Sequence, residues 1–69
     1  MRENLKAFRE NIGFTQEQMA SRLGCTRQFY TAVETGTKNG TLERFWTNLQ
    51  IKFQIKDSDM WKLTKITRK

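Results

Sequence analysis

Apolar residues recur along this chain at helical spacing, and glycines interrupt the pattern. Leu5, Phe8 and Ile12 fall three and four residues apart and define one face of a first helix over about 2–12. Gly13 follows, where a left-handed residue without a Cβ ends a helix at least cost. Met19, Ala20 and Leu23 then mark the inner face of a second helix, and Tyr30 and Val33 that of a third, ending near Glu34. Leu42, Phe45, Leu49 and Phe53 repeat the spacing over about 42–53, with Trp46 widening the stripe. Met60, Trp61 and Leu63 suit a fifth helix, and Ile55 a buried residue in the turn before it. Nothing in the chain alternates with the period of two that strands require. The pattern predicts an all-α fold, a compact bundle of about five short helices.

Start signals sharpen the boundaries. Thr15-Gln16-Glu17-Gln18 reads as a capping box, in which Thr15 accepts from a free backbone N–H while Gln18 reaches back to the Thr15 amide. Phe14 and Met19 flank it at the spacing of a hydrophobic staple. Thr26 is placed to cap the third helix, Thr41 the fourth, and Asp57 or Ser58 the fifth. Proline is absent, and Gly13, Gly24, Gly36 and Gly40 serve as the breaks. One domain over 1–63 is expected, followed by a short basic tail over 64–69.

The segment between Thr15 and Glu34 carries the most information. Two helices crossing steeply need a small residue at the contact, which Ala20 supplies. The abrupt turn between them needs a residue tolerant of positive φ, which Gly24 supplies. Residues on both sides then close a shared core, leaving the outer face of the second of the two helices free to enter a major groove. This is the logic of a helix-turn-helix.

The residues Gly13-Phe14-Thr15-Gln16-Glu17-Gln18-Met19-Ala20, Leu23-Gly24-Cys25-Thr26, and Tyr30, Val33, Glu34 and Gly36 resemble the Cro/phage-repressor family, of lambda-repressor-like or XRE type. The likeness extends over about residues 5–63, and beyond the helix-turn-helix it rests on apolar spacing alone. Gly40 stands where many members have proline, and Tyr30 where a branched aliphatic is usual.

The resemblance implies roles. Gln16, at the start of the second helix, would lie near a DNA phosphate, since a helix N-terminus favours an anion. Arg27, Gln28 and Thr31 would face base edges, with Ala32 near enough for apolar contact; Arg pairs well with guanine and Gln with adenine. Phe29, if exposed there, would suit a thymine methyl; otherwise it packs against the first helix or the loop. Thr26, Lys38, Asn39 and Thr41 would touch phosphates. Glu34 is expected to be structural, satisfying loop amides or pairing with a basic residue.

Composition narrows the classes. There is no histidine and one cysteine, Cys25, so neither an internal disulfide nor a Cys/His zinc site is available. Cys25 reads as a small buried hydrophobe. No paired carboxylates suggest acid–base catalysis, and no enzymatic activity, cofactor, metal or small-molecule ligand is expected. No apolar run could cross a membrane and no secretory pattern opens the chain, so a soluble cytoplasmic protein is expected.

The net charge of +6 fits a polyanionic partner but is badly placed to prove one. Residues 1–34 carry five Lys/Arg against four Glu, whereas residues 35–69 carry eight against three acids. The motif, not the charge, supports the expected function: a sequence-specific double-stranded DNA-binding transcriptional regulator, Cro- or repressor-like, from a phage or mobile element. A short recognition helix reads few base pairs, so a homodimer on a palindromic operator is expected, paired through the C-terminal helices, where Trp46, Phe53 and Trp61 exceed what a small core needs. The competing reading is a protein-interaction module, antitoxin-like or inhibitory, on the same fold. Arg27 and Gln28, with no acidic residue from Cys25 to Val33, weigh against it.

Overall fold

The computed structural model describes residues 1–38 and 42–66. They form α1 (Glu3–Asn11), α2 (Gln16–Leu23), α3 (Arg27–Thr35), α4 (Glu43–Phe53) and α5 (Asp57–Thr64), with no strand among the described residues. The fold is the expected all-α bundle. α2 packs chiefly on α3 and also on α4, while α1 packs on α5 and α3. Leu5, Met19, Tyr30, Val33 and Leu49 are fully enclosed, so the first four helices each contribute to one core; Leu63 adds α5.

The local signals around α2 and α3 act as read from the sequence. Thr15 Oγ1 accepts from the Gln18 amide at 3.1 Å, and Gln18 Oε1 accepts from the Thr15 amide at 2.9 Å, completing the capping box. Gly24 ends α2 at φ 70°, and its amide returns to Ser21 O. Thr26 Oγ1 accepts from the Phe29 amide at 3.1 Å to start α3.

Elsewhere the caps differ from expectation. α5 begins at Asp57 itself, with Lys56 in the cap position and no side-chain cap. The Asp57 carboxylate instead accepts from Gln50 Nε2 and fastens the start of α5 to α4. Leu42 occupies the cap position of α4, again without a side-chain bond; the expected cap, Thr41, lies outside the described residues. α4 ends at Gln54, whose φ of 53° is left-handed although it is not glycine.

Two apolar residues turn outward, Ile12 against expectation and Trp61 as the exposed member of the aromatic set expected to exceed the core. Ile12 lies beyond the last turn of α1 and is 38% exposed, while Trp61 is 58% exposed. An eight-residue helix has about two turns, and Leu63 with half-buried Met60 takes the inward side, leaving Trp61 outside. Thr64 is the last residue of α5, so the basic segment expected from 64 begins inside the helix; residues 67–69 lie outside the described residues.

Candidate nucleic-acid interface

Gln16, Arg27, Gln28, Thr31, Ala32, Thr35 and Thr37 line one open concavity of about 650 Å³. α3 supplies five of them because residues three and four apart share a helix face, and the α2–α3 crossing brings the first residue of α2 beside them. Arg27 and Gln28 are exposed, whereas Thr31, Ala32 and Gln16 are half-buried. Of the five side chains expected at base edges, four therefore stand on one face with Gln16.

Phe29 does not join that face. Its ring lies 5.8 Å from the Phe45 ring of α4, packed against the core, one residue round the helix from Gln28. The apolar ring gains more from burial beside Phe45 than from water, and the packing alternative holds, with α4 the main partner in place of α1 and Lys38 of the loop also against the ring. Lys38, expected at phosphate, is exposed and rests its ammonium 4.9 Å from the Phe29 ring centre. Thr26 is exposed at the start of α3, its hydroxyl oxygen already accepting the capping bond. Asn39 and Thr41 lie outside the described residues.

Beneath the face lies a buried polar cluster. Arg9 of α1 makes a two-pronged ion pair with Glu34 of α3, Nε to Oε2 at 2.9 Å and Nη2 to Oε1 at 3.2 Å. Arg9 Nη1 also donates to Phe14 O at 2.7 Å, holding the entry to α2. Gln16 Nε2 donates to Glu34 Oε1 at 3.2 Å, and Thr31 Oγ1 donates to Gln16 Oε1 at 3.2 Å. A continuous chain thus runs from α1 through the core to the outer face of α3. Glu34 is structural, as expected, and its basic partner is Arg9.

The electrostatics follow from this geometry. Burial works to raise the Glu34 carboxyl, but the hydrogen bonds from Arg9 and Gln16, with the Tyr30 hydroxyl nearby, outweigh it and hold the group below the usual carboxylate range. The Glu34 hydrogen bond raises the Arg9 guanidinium against a smaller opposing effect of burial. Burial, with the neighbouring carboxylate, pushes the Tyr30 phenol well above its ordinary value, and its hydroxyl finds no hydrogen-bond partner among the described residues. Burial likewise raises the half-buried Cys25 thiol, against an activated nucleophile.

Sequence reasoning missed several residues. Thr35 and Thr37 line the concavity, with Thr35 Oγ1 bonded to Thr31 O at 2.9 Å and facing Thr37 Oγ1 at 2.7 Å. The spacing of Thr35 four residues beyond Thr31 was the available signal. Arg2 is buried at the C-terminal end of α3: its amide donates to Glu34 O at 2.8 Å and its guanidinium to Val33 O and Thr64 O. Asn48 Nδ2 donates to Leu23 O at 2.7 Å, tying α4 to the end of α2. Nothing local marks either residue. Among the described residues no cluster of His, Cys, Asp or Glu could hold a metal, and no helix is long and apolar enough to cross a membrane.

The helix-turn-helix domain family matches residues 1–46, about two thirds of the chain, and the chain belongs to that family. It is also similar to the uncharacterized HTH-type transcriptional regulator YqaE of Bacillus subtilis (strain 168), with 50% identity over 36 residues. That match covers 52% of this chain and 31% of the relative, so the chain spans about a third of that protein's length. No solved structure matches the chain.

Proposed function

We propose that the chain is a sequence-specific regulator of transcription that binds double-stranded DNA with α3 in the major groove, in the manner of the Cro and phage-repressor proteins. The observation that carries this reading is the joint exposure of Arg27 and Gln28 beside Thr31 and Ala32, with Gln16 at the start of α2 on the same face. Arg27 and Gln28 read base edges through paired hydrogen bonds, Thr31 and Ala32 add shorter-range contacts, and Gln16 sets the register at a phosphate. Lys38 and Thr26, at the two ends of α3, and Asn39 and Thr41 are assigned to the flanking backbone.

The regulator acts as a cytoplasmic homodimer on a palindromic operator, repressing a phage or mobile-element gene. Ile51 of α4 and Trp61 of α5, 69% and 58% exposed, support pairing through the C-terminal helices. Fragments bound from random duplex DNA, followed by anisotropy titrations over a range of salt, test the proposal. A shared half-site and an affinity that falls with log salt at about −0.9 per phosphate contact are expected. Arg27→Ala and Gln28→Ala should each cost about 1–3 kcal/mol on the selected site and much less on unrelated DNA. Equal losses on all sequences would remove their base-reading role, and a flat salt response would favour a protein partner instead.

A further inference from the structure

The direction of each hydrogen bond under the reading face is set by chemistry, and this bears on which base Thr31 accepts. An ionised carboxylate only accepts hydrogen bonds. Glu34 is 1% exposed and held ionised by Arg9, so the Gln16 amide must turn its Nε2 toward Glu34 Oε1, as observed at 3.2 Å. That leaves Gln16 Oε1, an acceptor, facing Thr31. The Thr31 hydroxyl has a single proton, and it goes to Gln16 Oε1 at 3.2 Å. What remains on Thr31 Oγ1 is lone-pair density at the edge of the concavity that Arg27, Gln28 and Ala32 share.

We propose that Thr31 is a specificity-determining residue that accepts a hydrogen bond from an exocyclic base amine, adenine N6 or cytosine N4, and that Gln16 and Glu34 are the positioning residues that fix its polarity. The inference rests on the DNA-binding reading above and deepens it. In the major groove the amines of adenine and cytosine are donors, whereas guanine O6 and thymine O4 are acceptors. A threonine free to rotate serves either kind. One whose proton is held by Gln16 meets a carbonyl oxygen with its own lone pairs and disfavours it.

The test uses the full chain and the duplex it selects from a random library. Thr31→Val keeps the shape and the methyl group but removes the hydroxyl, and the base pair whose preference it changes is the one Thr31 touches. At that pair, analogues delete single groups: purine for adenine or pyrimidin-2-one for cytosine removes the amine, and 2-aminopurine for guanine removes the carbonyl oxygen, with a 4-deoxy thymine analogue as its counterpart. Deleting the amine should weaken wild-type binding about three- to tenfold more than it weakens Thr31→Val, as for one neutral hydrogen bond. Deleting the carbonyl oxygen should affect both proteins equally. Gln16→Leu should bind more weakly on every sequence, through loss of its phosphate contact. With the Thr31 hydroxyl free to donate as well as accept, it should also lose the discrimination: exchanging the amine-bearing base for its carbonyl-bearing counterpart (guanine for adenine, thymine for cytosine) should cost it less than it costs wild type.

A selected pair at which the carbonyl deletion discriminates wild type from Thr31→Val overturns the proposal. So does a Thr31→Val protein with unchanged preferences throughout, which would leave only the methyl group in contact. An equal penalty in Gln16→Leu and wild type for exchanging the amine-bearing base for the carbonyl-bearing one overturns the positioning role of Gln16. A wild-type chain that selects no common sequence would instead remove the DNA-reading function itself, and this inference with it.

Discussion

Replacing Arg9 by methionine removes the charge that balances Glu34 while keeping most of the side chain's length. Glu34 is 1% exposed and would keep the Gln16 amide and the nearby Tyr30 hydroxyl but no positive group in the cluster, so a carboxylate would be left in the core without its countercharge. Breaking a buried pair from one side costs about 3–5 kcal/mol. A chain of this length has a total stability of roughly 3–10 kcal/mol at about 0.05–0.15 kcal/mol per residue. Arg9→Met should therefore leave the protein at the margin of unfolding at 25 °C. Removing both charges, in Arg9→Met with Glu34→Leu, should restore most of the loss, because desolvating the two ions offsets most of their attraction. The double variant still forfeits the 2.7 Å bond from Arg9 to Phe14 O, worth about 1 kcal/mol, and should lie within about 2 kcal/mol of wild type.

Urea unfolding followed by far-ultraviolet circular dichroism measures all four corners of this cycle. A cost below about 1 kcal/mol for Arg9→Met, or a double variant no better than the worse single one, would refute the reasoning. The pH dependence gives an independent check. The folded Glu34 carboxyl lies below its unfolded value, so its stabilisation is fully present above about pH 4.3 and is lost as the pH falls through the folded value. The double variant should show a shallower loss of stability over that acidic range, and an unchanged slope would contradict the assignment.

Backbone substitutions make three smaller predictions, each read as a shift in the urea midpoint. Gly24→Ala places a Cβ at φ 70° in open space and should cost about 1–2 kcal/mol from the left-handed backbone alone. Gly36→Ala meets the same strain at φ 85° and adds a Cβ 3.3 Å from the Met1 amide nitrogen, so it should cost more; equal losses would show that the N-terminus yields freely. Gln54→Gly relieves a left-handed non-glycine residue at the end of α4 and should stabilise by roughly 0.5–1 kcal/mol, where a loss would reveal a role for the Gln54 side chain.

What the sequence made legible was local. The capping box at Thr15, the turn at Gly24 and the cap at Thr26 each depend on residues within four positions, and each forms as its residue types require. The face carrying Arg27, Gln28, Thr31 and Ala32 follows from the helical period for the same reason. Phe29 was ambiguous because it borders that face, and only the position of Phe45 on α4 decides which way an apolar ring turns. Which of Trp46, Phe53 and Trp61 would stay outside the core was open for a similar reason: an eight-residue helix is too short for its apolar spacing to pick a side, and Trp61 is the one left out.

The polar core was illegible for a different reason. Arg9 meets Glu34 across 25 positions and Arg2 meets Thr64 across 62, and an arginine in a helical pattern reads as solvated until its partner is located. Yet these are the contacts on which the face proposed to read DNA stands. Arg9 holds Glu34 ionised, Glu34 turns Gln16, and Gln16 takes the proton of Thr31. A motif search finds the residues proposed to touch DNA, but the donor or acceptor character of one of them is decided by an arginine in α1, outside the helix-turn-helix. Exchanging surface residues of α3 alone should therefore transfer the contacts proposed for Arg27 and Gln28 to a related scaffold more faithfully than the one proposed for Thr31. Grafted without Gln16, Glu34 and Arg9, Thr31 would keep its methyl group and its hydroxyl but not the polarity proposed for it.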